Sequence, residues 1–141
     1  MEPESGKDGQ EQERCQERQI HQKNLADPDS VMECGHGRME LATIDDMTVA
    51  RLTLQPGWKW SESIRPMAGT DSCQVRHLQY VIRGRLRIVE DDGTQIDLEP
   101  GDFASIPPGH DAWVVGDEPF VAIDFSPEMK QYAQPSGEPR H

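Results

Sequence analysis

Cys73, His77 and Gln79 lie in a stretch, residues 73 to 82, that alternates in the manner of a β-strand. By the strand period of two, residues 73, 75, 77, 79 and 81 share one face, so a thiol, an imidazole and an amide can point together into a domain interior. Thiolate and imidazole ligate zinc, iron and other borderline metals. The same types also serve as plain core residues, since a cysteine packs as a small hydrophobe and an interior histidine is satisfied by a neighbour such as Gln79. A second thiol and imidazole occur in Cys34-Gly35-His36-Gly37. Two ligands between flanking glycines do not make a tight site, and this segment reads as a loop. Trp58 and Trp60 follow Pro56-Gly57, and Trp113 lies downstream. Their faces can cover an apolar or planar ligand, or they can cap a core or fill an interface. Arg51 or Arg65, if turned inward, would grip a substrate carboxylate.

These residues need a scaffold, and from about residue 38 the chain supplies short apolar segments separated by turn residues, the pattern of an all-β domain. Arg38 to Ile44 and Met47 to Leu54 flank Asp45-Asp46, and Gln74 to Ile82 and Arg85 to Glu90 flank Arg83-Gly84, so both pairs read as hairpins. Asp91-Asp92-Gly93 is a third hairpin signal before Ile96. Phe103 to Ile106, Ala112 to Val115 and Pro119 to Phe125 complete about eight strands, with little helix beyond a turn at Pro127 to Tyr132. Arg85 and Arg87 fall on the face opposite Leu86 and Ile88, where they would meet Glu90, Asp97 or Glu99.

Residues 1 to 30 contain no aromatic residue and few large aliphatic ones, too little apolar surface to offset the entropy of ordering. The expected division is a flexible acidic tail over 1–37, a barrel over 38–126 and a flexible tail over 127–141. In 141 residues, 14 Lys+Arg stand against 26 Asp+Glu, a net charge of −12 that disfavours nucleic acid and anionic membrane surfaces. No apolar run reaches the roughly 18 residues a membrane span needs, and the first residues lack the basic and then apolar regions of a secretory signal, so a soluble intracellular protein is expected. Three cysteines without a Cys-x-x-Cys pair point to reduced thiols in a cytoplasm. Nucleotide-binding glycine loops and the Gly-x-Ser-x-Gly of serine hydrolases are absent.

The run from Pro100-Gly101-Asp102 through Ile106-Pro107-Pro108-Gly109-His110 resembles the second motif of the cupin superfamily. Pro56-Gly57, followed by Tyr80-Val81-Ile82-Arg83-Gly84, is similar to the first. The resemblance covers roughly residues 48 to 126 and implies a single small jelly-roll β-barrel, in agreement with the strand count. Metal-binding cupins hold their ion with two histidines and a glutamate from the first motif and a histidine from the second. Here the glutamate position holds His77, one histidine position holds Cys73, and the usual histidine of the second motif is Ala112, with His110 directly after Gly109. The resemblance therefore implies a rearranged site in which Cys73, His77 and His110 hold one divalent metal (zinc, iron, nickel or manganese) and leave a position for water or substrate.

Trp58, Trp60, Gln79 and Trp113 are the expected substrate-binding residues. The expected function is binding of one metal and a small polar metabolite inside the barrel, as in a metal-dependent enzyme acting on an organic acid. The alternative is a metal-free barrel that binds a small ligand as a sensor or carrier. In either case the resemblance implies a homodimer, since jelly rolls of this family commonly pair.

Overall fold

The computed structural model describes residues 19–133; the outer parts of both expected tails, 1–18 and 134–141, lie outside the described residues. Among the described residues nine strands form: β1 (Ser30–Cys34), β2 (Gly37–Ile44), β3 (Met47–Leu54), β4 (His77–Arg83), β5 (Arg85–Glu90), β6 (Gln95–Leu98), β7 (Phe103–Ile106), β8 (His110–Val115) and β9 (Phe120–Asp124). Two single-turn helices, α1 (Trp60–Ser63) and α2 (Arg65–Ala68), occupy the connection into β4, and a 3-10 helix spans Pro127–Tyr132.

The strands make two antiparallel sheets, a six-stranded one in the order β1-β2-β3-β9-β4-β7 and a three-stranded one in the order β6-β5-β8. The architecture is a small all-β jelly roll, although its hydrogen-bonded ladder does not run continuously around a barrel. Alternate residues of both sheets face each other. Leu54, Val81, Ile106, Phe120 and Ala122 from one meet Leu86, Ile88, Leu98, Ala112 and Val114 from the other in one buried cluster. Burial of this apolar surface is what holds the sheets together.

Two expected hairpins form. Ile44 pairs with Met47 around Asp45-Asp46, and Val89 pairs with Gln95 around Asp91-Asp92-Gly93, where Asp92 Oδ1 accepts from the Thr94 amide. The third does not: β4 pairs with β9 on one side and β7 on the other, and β5 belongs to the opposite sheet. With both edges of β4 taken, the chain must leave the sheet at Arg83-Gly84. Gly84 makes that exit with φ 78, and a Cβ there would lie 2.2 Å from the Pro119 carbonyl oxygen. On the three-stranded sheet Arg87 holds Asp97 with two bonds of 2.8 and 2.9 Å, the outer-face pairing the alternation predicts.

Segments at both ends of the described residues pack onto the larger sheet. The segment 30–34, expected within the N-terminal tail, is a strand that pairs over its whole length with β2. Main-chain ladder bonds hold it, so it needs little apolar content. Ahead of it, Lys23 Nζ donates to Asp29 and to the Thr43 carbonyl. At the other end Met129 is buried beside Leu41 and Ala50, with Tyr132 packed against them. Met129, with Tyr132 beside it, docks the 3-10 helix.

Candidate metal centre

His77 opens β4, and its ring is fixed from below: Nδ1 lies 2.6 Å from Asp124 Oδ2. Asp124 is wholly buried at the end of β9, where Oδ1 accepts from the amides of Leu78 (3.3 Å) and Ser126 (3.0 Å) and Oδ2 also accepts from Gln79 Nε2 (3.1 Å). A carboxylate so surrounded by donors stays ionised: burial raises its pKa, but the bonds from His77, Ser126 and Gln79 bring it below the usual range. With Asp124 as acceptor, the His77 Nδ1 carries the proton and Nε2 faces away, toward Cys73.

Cys73 arrives by a different route than the sequence suggests. It lies outside β4 and forms an isolated bridge with His110, the first residue of β8, through a Cys73 amide to His110 carbonyl bond of 2.7 Å. Its Sγ is 3.7 Å from His77 Nε2. His110 is buried, and its Nδ1 lies 2.8 Å from the Pro107 carbonyl, which can only accept, so this ring too has its proton on Nδ1 and a free Nε2 lone pair. Ligand atoms of Cys73, His77 and His110 all lie within 4.8 Å of one another.

The cluster is electrically poised. Burial pushes the Cys73 thiol up, but the histidines beside it, His110 and then His77, outweigh this and bring it down to about 6. Burial lowers His77, but Asp124 and the Cys73 sulfur raise it to about 9. Between those values sulfur and ring form a thiolate–imidazolium pair.

These residues fit a metal ion. Both histidines have their outer nitrogen committed to an acceptor, the arrangement that fixes the tautomer and orientation of a ligating imidazole. A tetrahedral zinc with bonds of about 2.3 Å to sulfur and about 2.0 Å to nitrogen separates those ligands by about 3.5 Å, close to the Sγ–Nε2 distance of 3.7 Å.

The cluster opens onto a cavity of about 170 Å³. Trp58, Trp60 and Gln79 line it, as do Leu52, Leu54, Ile64, Leu86, Ile88 and Ile106. Gly37 lines it too, where an added Cβ would press on the Trp58 indole nitrogen at 2.9 Å. Trp113 does not: it alternates with the inward-facing His110, Ala112 and Val114 on β8, opposes Arg87, and lies 5.0 Å beneath Lys59 Nζ. Strand parity therefore turns it to the outer face. Neither Arg51 nor Arg65 reaches the cavity, and Arg51 Nε donates instead to Glu40. Cys34 lines the cavity from the end of β1, its Sγ bonded to the Ser63 carbonyl.

Asp124 is the site residue that the sequence reading missed. A signal for it existed: in Phe120-Val121-Ala122-Ile123-Asp124 it shares parity with Phe120 and Ala122, a charge on a core face.

The family model described as "Cupin domain" matches residues 69–126, which contain Cys73, His77, His110 and Asp124. Over these residues the chain carries a cupin domain. Solved structures with the same fold include a protein of unknown function from Rhizobium leguminosarum (TM-score 0.55, 17% identity, 76% of this chain and 95% of that one). An RmlC-like cupin from Shewanella frigidimarina matches with TM-score 0.55 at 16% identity, over 81% of this chain and 96% of that one. A cupin-like protein from Thermotoga maritima matches with TM-score 0.51 at 20% identity, over 77% and 84%. No curated protein matches. The ligand cluster thus lies inside the matched domain, while β1, β2 and β3, which also wall the cavity, precede the matched residues.

Proposed function

We propose that this cupin-domain protein binds one divalent metal through Cys73 Sγ, His77 Nε2 and His110 Nε2, and that the metal receives a small molecule held in the adjoining cavity. The observation that carries this reading is the double commitment of the imidazoles, His77 Nδ1 to Asp124 and His110 Nδ1 to the Pro107 carbonyl, which leaves the two Nε2 atoms and the sulfur as the ligating atoms, with the His77 Nε2 proton given up when the ion binds. Zinc suits the S, N, N donor set best, with iron, nickel and manganese as the other candidates. Three protein ligands leave an open position, where the ion supplies Lewis-acid polarisation of a bound oxygen or carbonyl. Asp124 holds the His77 ring in place, Trp58 and Trp60 wall the ligand space, and Gln79 is tied to the same carboxylate.

Elemental analysis of the protein purified without chelator tests this directly. About one equivalent of metal is expected in the parent and little in Cys73→Ala and His77→Ala, because a two-ligand remnant binds weakly. A metal-free parent whose melting temperature does not respond to added zinc, iron, nickel or manganese would overturn the proposal.

The free thiols at Cys34 and Cys73 suit a cytoplasmic protein, and among the described residues no helix is long and apolar enough to cross a membrane. The proposed assembly is a homodimer formed through the exposed side of β7.

A further inference from the structure

We infer that the cavity takes a neutral or singly anionic molecule, mostly apolar and about the size of one substituted ring or one branched chain, with its single polar group turned to the Cys73–His77–His110 cluster. The inference rests on the proposed metal reading only for what that polar group meets. Three observations carry it.

The first is the wall. Away from the cluster the cavity is bounded by such side chains as Leu54, Trp58, Trp60, Ile88, Ile106 and Met129. A ligand of matching surface gains by leaving water, whereas a hydroxyl or carboxylate placed against these apolar side chains would lose its hydration without replacement. Gln79 Oε1, a buried lining atom without a partner, is the exception and lies next to the cluster's Asp124 support.

The second is charge. Apart from the Cys73–His77–His110 cluster, Arg38 is the one charged residue of the lining, and its guanidinium is already taken by Glu33 and Glu40. With a divalent ion held by one thiolate and two neutral imidazoles, the cluster carries one net positive charge and can neutralise one anionic group. A second carboxylate on the same molecule would find no cation.

The third is size. A cavity of about 150 Å³ lined by aliphatic and aromatic side chains takes a benzene ring, and this one, at about 170 Å³, has room for a ring with one substituent.

The test uses the full chain with its metal content measured first. Phenol and benzoate serve as one-ring probes and malonate and citrate as polar acids, with binding followed by calorimetry and tryptophan fluorescence. The one-ring probes are expected to bind at least about tenfold more tightly, since a buried ring is worth more than the 1.4 kcal/mol that a tenfold ratio represents. Ile64→Trp, which fills the cavity, and Met67→Trp, at a two-thirds exposed rim position that tolerates substitution, are each expected to weaken phenol and benzoate alike while metal content and melting temperature stay near the parent's. Malonate or citrate binding as tightly as benzoate, or failure of both one-ring probes to bind, would overturn the inference. Polar acids winning on metal-loaded protein sinks this inference alone. One-ring probes binding to a protein that never takes up metal sinks the metal reading alone.

Discussion

Asp124 and His77 are a buried charged pair whose cost is met by saturation: the carboxylate has bonds from His77, Gln79 and two main-chain amides. The pair shapes how the metal-free site titrates. His77, raised from 6.5 to about 9, contributes stability that is fully present below pH 6.5 and is lost as pH rises through about 9. Cys73, lowered from 9.0 to about 6, contributes stability that is present above pH 9 and is lost as pH falls through about 6. The two slopes oppose each other between pH 6.5 and 9, because folding moves a proton from sulfur to imidazole and leaves their number nearly unchanged. In metal-free protein with the other cysteines replaced by serine, thiolate ultraviolet absorbance should therefore grow in with a midpoint near pH 6, while this pair leaves the melting temperature nearly flat from pH 6.5 to 9. Asp124→Asn removes the charge that holds His77 protonated, so the thiolate midpoint should move upward by about one unit or more. A midpoint unmoved by Asp124→Asn would show that the carboxylate does not set the state of the sulfur.

At the scale of elements, the site depends on one change of sheet. β4 carries His77 and Gln79, β8 carries His110, and the two lie in opposite sheets. The step at Gly84 sends β5 away from β4, and β8 then pairs with β5 over six residue pairs that end at Glu90–His110. Gly84→Ala would force a Cβ to within 2.2 Å of the Pro119 oxygen in a positive-φ conformation. The expected cost is about 2 kcal/mol or more, read as an earlier urea midpoint. Gly93→Ala keeps the positive-φ strain but meets nothing within 4 Å, so it should cost less. Equal losses from the two substitutions would mean that the close approach at Pro119 is not what fixes the crossing.

At the scale of the whole molecule, β7 ends the six-stranded sheet, and Phe103 on it is 64% exposed, stacked on Phe125 and opposite Tyr80, itself half exposed. An edge strand with apolar side chains on its face is a template for pairing, and the proposed homodimer would cover it. A net charge of −12 opposes association of two copies at low ionic strength. Sedimentation should accordingly show a dimer whose share rises with added salt and falls sharply in Phe103→Glu. A monomer at all salt concentrations would overturn the homodimer.

The sequence by itself determined the all-β class, the Asp45-Asp46 and Asp92-Gly93 hairpins and the two motifs that mark the cupin fold, because alternation and turn chemistry are local. It also carried Cys73, His77 and His110 as chemistry-bearing types. Local pattern does not fix which strands pair. Only the tertiary structure decided that β4 neighbours β9, and hence that Asp124 sits under His77, since those residues are 47 apart in the chain. Only it showed that Cys73 reaches the cluster by bridging to His110, that Trp113 turns outward, and that the cavity wall is apolar. Packing between distant segments decides each of these, and a residue's near neighbours in sequence do not encode it.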